Sequence, residues 1–143
     1  MTGFLGSYLH QLDEKGRIAL PAAYRRNAGE EGFVLIHALE PALFLYPAPT
    51  WSEVEERLNE LMRRQPEARN SVLSLTANAV EVVPDKQGRI LIPERLQRAV
   101  QLSGEALIVG VLDKIEIWNP EVFEGATREA KPGFEQFVRQ IFV

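Results

Sequence analysis

The sequence predicts an α+β protein in which one unit is written twice, and three observations predict it. First, Asp13-Glu14-Lys15-Gly16-Arg17-Ile18-Ala19-Leu20-Pro21 returns as Asp85-Lys86-Gln87-Gly88-Arg89-Ile90-Leu91-Ile92-Pro93, with Asp, Gly, Arg, Ile and Pro identical. An internal repeat constrains the fold before any single element is assigned. Second, two apolar runs follow each copy, residues 33–36 and 43–46 after the first and 106–109 and 115–118 after the second, and the later run begins 22 residues after the motif proline in both halves, at Leu43 and at Ile115. Third, the stretches after these runs switch to helical periodicity. Val54, Leu58, Leu61 and Met62 form one stripe, and Phe134, Phe137, Val138 and Ile141 form another.

Taken in order, residues 4–12 read as a strand with Phe4, Leu5, Tyr8, Leu9 and Leu12 as its apolar positions. Asp-x-x-Gly then makes a tight turn. Asp at the first position accepts backbone N–H groups further on, and Gly at the fourth takes positive φ without a Cβ clash. Arg-Ile-x-Leu/Ile continues as a strand of the hairpin after each turn. Pro21 and Pro93 end these strands and suit a first helical position, where a missing N–H costs nothing. Short helices are expected from Pro21 to near Asn27, stopped near Gly29, and from Pro93 to near Gln101, stopped near Gly104. Residues 33–36 and 43–46 read as buried neighbouring strands. Thr50-Trp51-Ser52-Glu53 reads as a capping box that starts a helix reaching Gln65 and stopping before Pro66. Residues 67–75 predict another helix, and the β-branched stretch 74–83 predicts the first strand of the second unit. Asn119-Pro120 starts a helix that reaches Ala130, Pro132-Gly133 breaks it, and a final amphipathic helix follows. The expected divisions are 4–50 for the first repeat, 51–73 for connecting helices, 74–119 for the second repeat and 120–143 for the last helices.

Composition sets limits. The chain has 143 residues, 45% of them hydrophobic, 25% charged and none cysteine. A half of roughly 70 residues buries little by itself, so the two repeats are expected to share one core. Without cysteine there is no disulfide framework and no thiolate chemistry. No apolar run approaches the roughly 18 residues that a membrane span needs. The basic-then-apolar pattern of a signal peptide is missing at the N-terminus, so a cytoplasmic protein is expected.

The strand, Asp-x-x-Gly-Arg-Ile-x-Leu/Ile-Pro and short helix together resemble the SpoVT–AbrB domain, a swapped-hairpin β-barrel that binds DNA. Two copies in a chain of this length, each with Asp-x-x-x-Arg, resemble the MraZ family. Further matches are Met1, Phe4 and Gly6 at the start, and Leu43-Phe44-Leu45-Tyr46-Pro47 followed by Trp51. The resemblance implies two fused AbrB-type β-barrel units in one pseudo-symmetric domain with flanking helices. It also implies a nucleoid-associated regulator, a repressor, of the bacterial division and cell-wall gene cluster. Such a protein meets G-rich repeats of double-stranded promoter DNA as a ring-like homo-oligomer.

Charge agrees in its distribution rather than its sum. The net charge is −4. Yet residues 7–26 carry Lys15, Arg17, Arg25 and Arg26 against Asp13 and Glu14, and residues 85–98 carry Lys86, Arg89, Arg95 and Arg98 against Asp85 and Glu94. Positive charge gathers where the repeats are. The resemblance nominates Arg17 and Arg89 to meet DNA, with Asp13 and Asp85 holding them. Lys15 at the turn tip, Lys86, Arg25, Arg26 and Arg98 are candidates for phosphate. Gly16 and Gly88 serve the turns. A guanidinium presents planar paired donors that suit phosphate oxygens or a guanine edge. The competing reading is structural, with the Asp residues capping the turns and the Arg residues pairing with them. The copies are unequal, since Gln87 stands where the first copy has Lys15.

No nucleophile-and-base constellation, phosphate-binding glycine loop or paired metal-ligand motif occurs. His10 and His37, without cysteine, do not suggest a transition-metal site. An enzyme is not expected and no cofactor is implied. The rivals are a structural or protein-interaction module on the same fold, and an antitoxin-like regulator. The disordered toxin-binding tail of the latter is not expected, since helical periodicity runs to residue 143.

Overall fold

A computed structural model describes residues 3–28 and 30–143, and the expectations placed on Met1 and Gly29 lie outside the described residues. The first repeat supplies β1 (Ser7–Gln11), β2 (Arg17–Ala19), α1 (Ala22–Ala28), β3 (Phe33–Ile36) and β4 (Ala42–Pro47). Two helices follow, α2 (Ala48–Arg64) and α3 (Arg69–Thr76), joined by a 3-10 turn at Pro66–Ala68. The second repeat supplies β5 (Val80–Val82), β6 (Arg89–Leu91), α4 (Glu94–Ala99), β7 (Glu105–Val111) and β8 (Lys114–Trp118). Then come α5 (Pro120–Ala130), a 3-10 turn at Lys131–Gly133, and α6 (Phe134–Phe142). Strands β2, β3 and β4 begin at Arg17, Phe33 and Ala42, and β6, β7 and β8 at Arg89, Glu105 and Lys114, so the motif's spacing carries through every later strand.

The fold is α+β and pseudo-symmetric. Six strands form one antiparallel sheet in the order β1-β7-β8-β4-β3-β5, and β2 and β6 form a separate antiparallel ribbon. Exchanging the repeats and reversing the order returns the same sheet, so a pseudo-twofold passes between β4 and β8. The hairpins are exchanged. β1 pairs with β7 of the other repeat, β5 with β3, and β2 with β6. Neither repeat completes its own strand pairing, which is why a half that is too small to bury a core folds with its twin.

Ile18 and Ile90 are register partners in the ribbon and both are fully buried. Leu35, Leu43, Leu45, Ile108, Ile115 and Ile117 meet them from the large sheet. Alternation with period two puts every second residue of β8, Ile115 and Ile117, into this core. Tyr24 of α1 is buried edge-on against Phe4 and Tyr8, with ring centroids 5.5 and 5.4 Å away. Its hydroxyl lies 2.7 Å from the Leu5 carbonyl and 2.8 Å from that of Gly6, which ties the helix to the start of the chain.

Several expectations need correction. The first strand is shorter than 4–12, with Phe4 held instead by an isolated bridge to Leu112. The stretch 74–83 is not one strand. Helix α3 continues through Thr76 and only Val80–Val82 pairs in the sheet. Thr50 is not a cap, because α2 begins at Ala48 with no side-chain cap and takes Pro49 in its first turn, where no N–H is needed. Pro93 sits at the N-cap of α4, one position before the helix. Asn119 does cap α5, its side-chain oxygen accepting from the N–H groups of Glu121 and Val122. The α6 stripe is present, but Phe134, Phe137, Ile141 and Phe142 all stand more than half exposed.

Candidate nucleic-acid interface

Each motif folds into the same hydrogen-bonded turn. In the first, Gly16 N–H donates to the Asp13 carbonyl at 3.0 Å and Asp13 N–H to the Arg17 carbonyl at 2.9 Å. In the second, Gly88 N–H donates to Asp85 and Asp85 N–H to Arg89, both at 2.9 Å. Gly16 at φ 85° and Gly88 at φ 79° occupy the left-handed region that other residues avoid. Asp13 Oδ1 accepts the N–H groups of Lys15 and Arg17, and Asp85 Oδ1 those of Gln87 and Arg89, all at 2.9 Å. The second oxygen of each carboxylate takes the arginine. Arg17 Nε donates to Asp13 Oδ2 at 2.7 Å, and Arg89 Nε donates to Asp85 Oδ2 at 3.1 Å.

The turns are locked from the opposite repeat. Leu20 N–H donates to the Gly88 carbonyl and Ile92 N–H to the Gly16 carbonyl, both at 2.9 Å. Arg25 lies over Gly88, so close that a Cβ there would stand 2.7 Å from its Cζ. Its Nε donates to the Leu20 carbonyl at 3.2 Å. Gln97, the repeat counterpart of Arg25, covers Gly16 in the same way, and its Nε2 donates to the Ile92 carbonyl at 2.8 Å.

The ribbon has two faces. Ile18 and Ile90 point into the core, while Arg17, Ala19, Arg89 and Leu91 lie on the outer face. Arg17 stands opposite Leu91 and Arg89 opposite Ala19. Arg89 Nη1 also approaches Asp13 Oδ2 at 3.6 Å, so one carboxylate of the first repeat touches both guanidinium groups. Among the described residues, neither Nη of Arg17 has a hydrogen-bond partner. Lys15 and Lys86 are exposed at the turn tips.

Both aspartates are more acidic than their ordinary value of 3.8. The leading cause is the backbone N–H of Arg17 for Asp13 and that of Arg89 for Asp85, opposed by partial desolvation. A depressed folded value means that the stabilisation is complete above the ordinary carboxylate range and is lost as pH falls through the folded value. Carboxyl chemical shifts of Asp13 and Asp85 should therefore stay flat down to about pH 5 and titrate below 3.8. A midpoint at or above the ordinary value would show that the turn hydrogen bonds do not hold these groups.

Of the residues nominated from sequence, the structure brings Asp13, Arg17, Asp85 and Arg89 onto one ribbon with Lys15 and Lys86 at its ends. It gives Arg25 a packing role over Gly88, leaves Arg26 exposed on α1, and pairs Arg98 with Glu94 at 2.6 Å along α4. Sequence reasoning missed Leu91 and Gln97. The signal for both was the repeat itself, which aligns Leu91 with Ala19 and Gln97 with Arg25.

Comparison with known proteins agrees over almost the whole chain. The model of the family described as "MraZ protein, putative antitoxin-like" matches residues 4–73 and again 75–141. A protein of Desulfitobacterium hafniense (strain DSM 10664 / DCB-2) named Transcriptional regulator MraZ is 40% identical over 131 residues, covering 92% of this chain and 91% of its own. Proteins of the same name from Desulforamulus reducens and Pelotomaculum thermopropionicum are 37% and 38% identical over 138 residues. They cover 96% of this chain, and 96% and 94% of their own.

Proposed function

This chain belongs to the MraZ family, and from that premise we propose that it is a sequence-specific DNA-binding transcriptional regulator. Its proposed role is to repress the bacterial division and cell-wall gene cluster by binding promoter repeats as a ring-like homo-oligomer. The observation that carries the reading is the outer face of the β2–β6 ribbon. There two guanidinium groups are fixed at Nε by carboxylates, and both terminal nitrogens of Arg17 are left without a partner among the described residues, while Arg89 Nη1 approaches Asp13. A two-stranded ribbon fits the major groove, and a fixed guanidinium can donate twice to guanine O6 and N7. Asp13 and Asp85 position the arginines. Lys15 and Lys86 at the tips and Arg26 on α1 suit phosphate, while Arg25 acts by bracing the second turn.

One chain offers few cations on a body of net charge −4. Several chains on successive repeats multiply weak contacts into tight binding without adding a new one. The exposed apolar side of α6 supports such assembly. Among the described residues no helix is long and apolar enough to cross a membrane.

The test is a reporter driven by the promoter of the division and cell-wall cluster. Removing this chain should raise output, and restoring it should lower output again. An Arg17→Ala chain, expressed to the same level, should fail to lower it. Output that ignores the chain would contradict the proposed target.

A further inference from the structure

We infer that Leu91 is a base-reading residue that works with Arg17 across the ribbon and selects a thymine beside the guanine that Arg17 takes. The inference rests on the DNA-binding reading above and adds a specificity to it. Leu91 is 52% exposed at the end of β6, although it is register-paired with Arg17 and its neighbour toward the turn, Ile90, is buried. It shares the outer face with both arginines. It stands opposite Arg17 in the register and two residues beyond Arg89 on its own strand. It also borders the groove formed by Asp13, Lys15 and Gly16 of the first turn.

Geometry sets what this pair can reach. Directly opposed side chains in an antiparallel ribbon leave Cβ atoms about 4.5–5.5 Å apart. Stacked bases on one strand are about 3.4 Å apart. A guanidinium and a leucine in that relation meet neighbouring base pairs rather than the same one. In the major groove the apolar feature available to a leucine is the C5 methyl of thymine. A lone exposed leucine elsewhere on a surface needs no explanation. This one is placed between two cations on the face that meets the duplex.

The other half of the ribbon is built differently. Arg89 faces Ala19, whose single methyl reaches less far, and Arg89 Nη1 is turned toward Asp13 at 3.6 Å. Arg17 has both terminal nitrogens free among the described residues. The two pseudo-symmetric pairs are therefore unequal readers. Arg17 with Leu91 reads a guanine and a thymine, and Arg89 with Ala19 reads without the methyl contact. Each pair takes one residue from each repeat, so neither repeat alone constitutes a reader.

The experiment selects duplexes from a random-sequence pool with the full chain. It then replaces each thymine of the selected site by uracil, which removes the C5 methyl alone. Wild type should lose about fourfold in affinity at one thymine next to a guanine, the worth of one buried methyl group. Leu91→Ala, checked for an unchanged melting curve, should bind the thymine and uracil duplexes equally. Leu91→Met, which keeps an apolar reach, should restore the preference. No uracil penalty in wild type, or the same penalty in Leu91→Ala, overturns the inference while leaving DNA binding intact. A wild-type chain that selects no site at all overturns the regulator reading and this one with it.

Discussion

Arg17→Ala should abolish selective DNA binding while leaving the fold and the assembly unchanged. A bidentate arginine–guanine contact discriminates by about 1–3 kcal/mol, roughly 5- to 150-fold, and an oligomer repeats the loss at every site it engages. The structural cost is small by comparison. Arg17 is held by an ion pair about one third exposed on both sides, and pairs of that kind contribute about 0–1 kcal/mol. The turn itself survives, because Asp13 still accepts the N–H groups of residues 15 and 17. Fluorescence anisotropy on a promoter duplex, with solution mass and melting temperature as controls, reads both halves of this expectation. Arg17→Lys should not rescue, since an ammonium on a flexible stem lacks the paired planar donors. Wild-type affinity in a folded Arg17→Ala chain would remove Arg17 from the interface.

Ile18→Ala should be the most damaging single truncation for stability, with Ile90→Ala nearly its equal. The two are register partners in the ribbon and are 0% and 1% exposed. Deleting most of a buried isoleucine costs about 2–5 kcal/mol, because the lost burial is compounded by the cavity left behind. Against a total stability of about 5–15 kcal/mol this is a large share. For a chain of this length it amounts to a fall of roughly 7–17 degrees in Tm. The two losses should also not add, since both truncations open the same space. Thermal unfolding followed by circular dichroism measures all three chains. A loss under about 1 kcal/mol for either would mean that the ribbon is not the shared core described here.

How much of this was legible in the sequence depended on how local each interaction is. The Asp13 and Asp85 turns were readable because acceptor, glycine and strand lie within five residues. The buried strands Phe33–Ile36 and Lys114–Trp118 were readable from composition and alternation. Strand exchange was not. No periodicity says that β1 pairs with β7, and that expectation came through resemblance to a known domain. The stretch 74–83 misled because β-branched residues favour strands only as a weak prior. Val72 and Thr76 instead line the groove between α2 and α3, and the helix runs through Thr76. Thr50 misled because the helix has already begun at Ala48, with Pro49 in its first turn and no side-chain cap. The bracing of Gly88 by Arg25, and the reach of Arg89 to Asp13, join residues more than sixty positions apart. Only the folded chain reveals contacts at that separation.

The same geometry explains why an acidic chain can be given a cationic role. Four of its sixteen Lys and Arg residues, Lys15, Arg17, Lys86 and Arg89, stand together on one ribbon and its two turn tips. There the Asp13 and Asp85 carboxylates orient the two guanidinium groups through Nε, and both terminal nitrogens of Arg17 stay unpaired among the described residues.

The central claim is that this ribbon binds DNA selectively. The most direct measurement is the affinity of the full chain for a promoter duplex and an unrelated duplex across a salt series. The account predicts tighter binding to the promoter, weakening steeply with salt as counterions are released from the contacted phosphates. Binding to neither duplex at low salt, by a folded and assembled chain, would contradict it and would make the exposed face of α6, as a protein-interaction surface, the better account of what this molecule does.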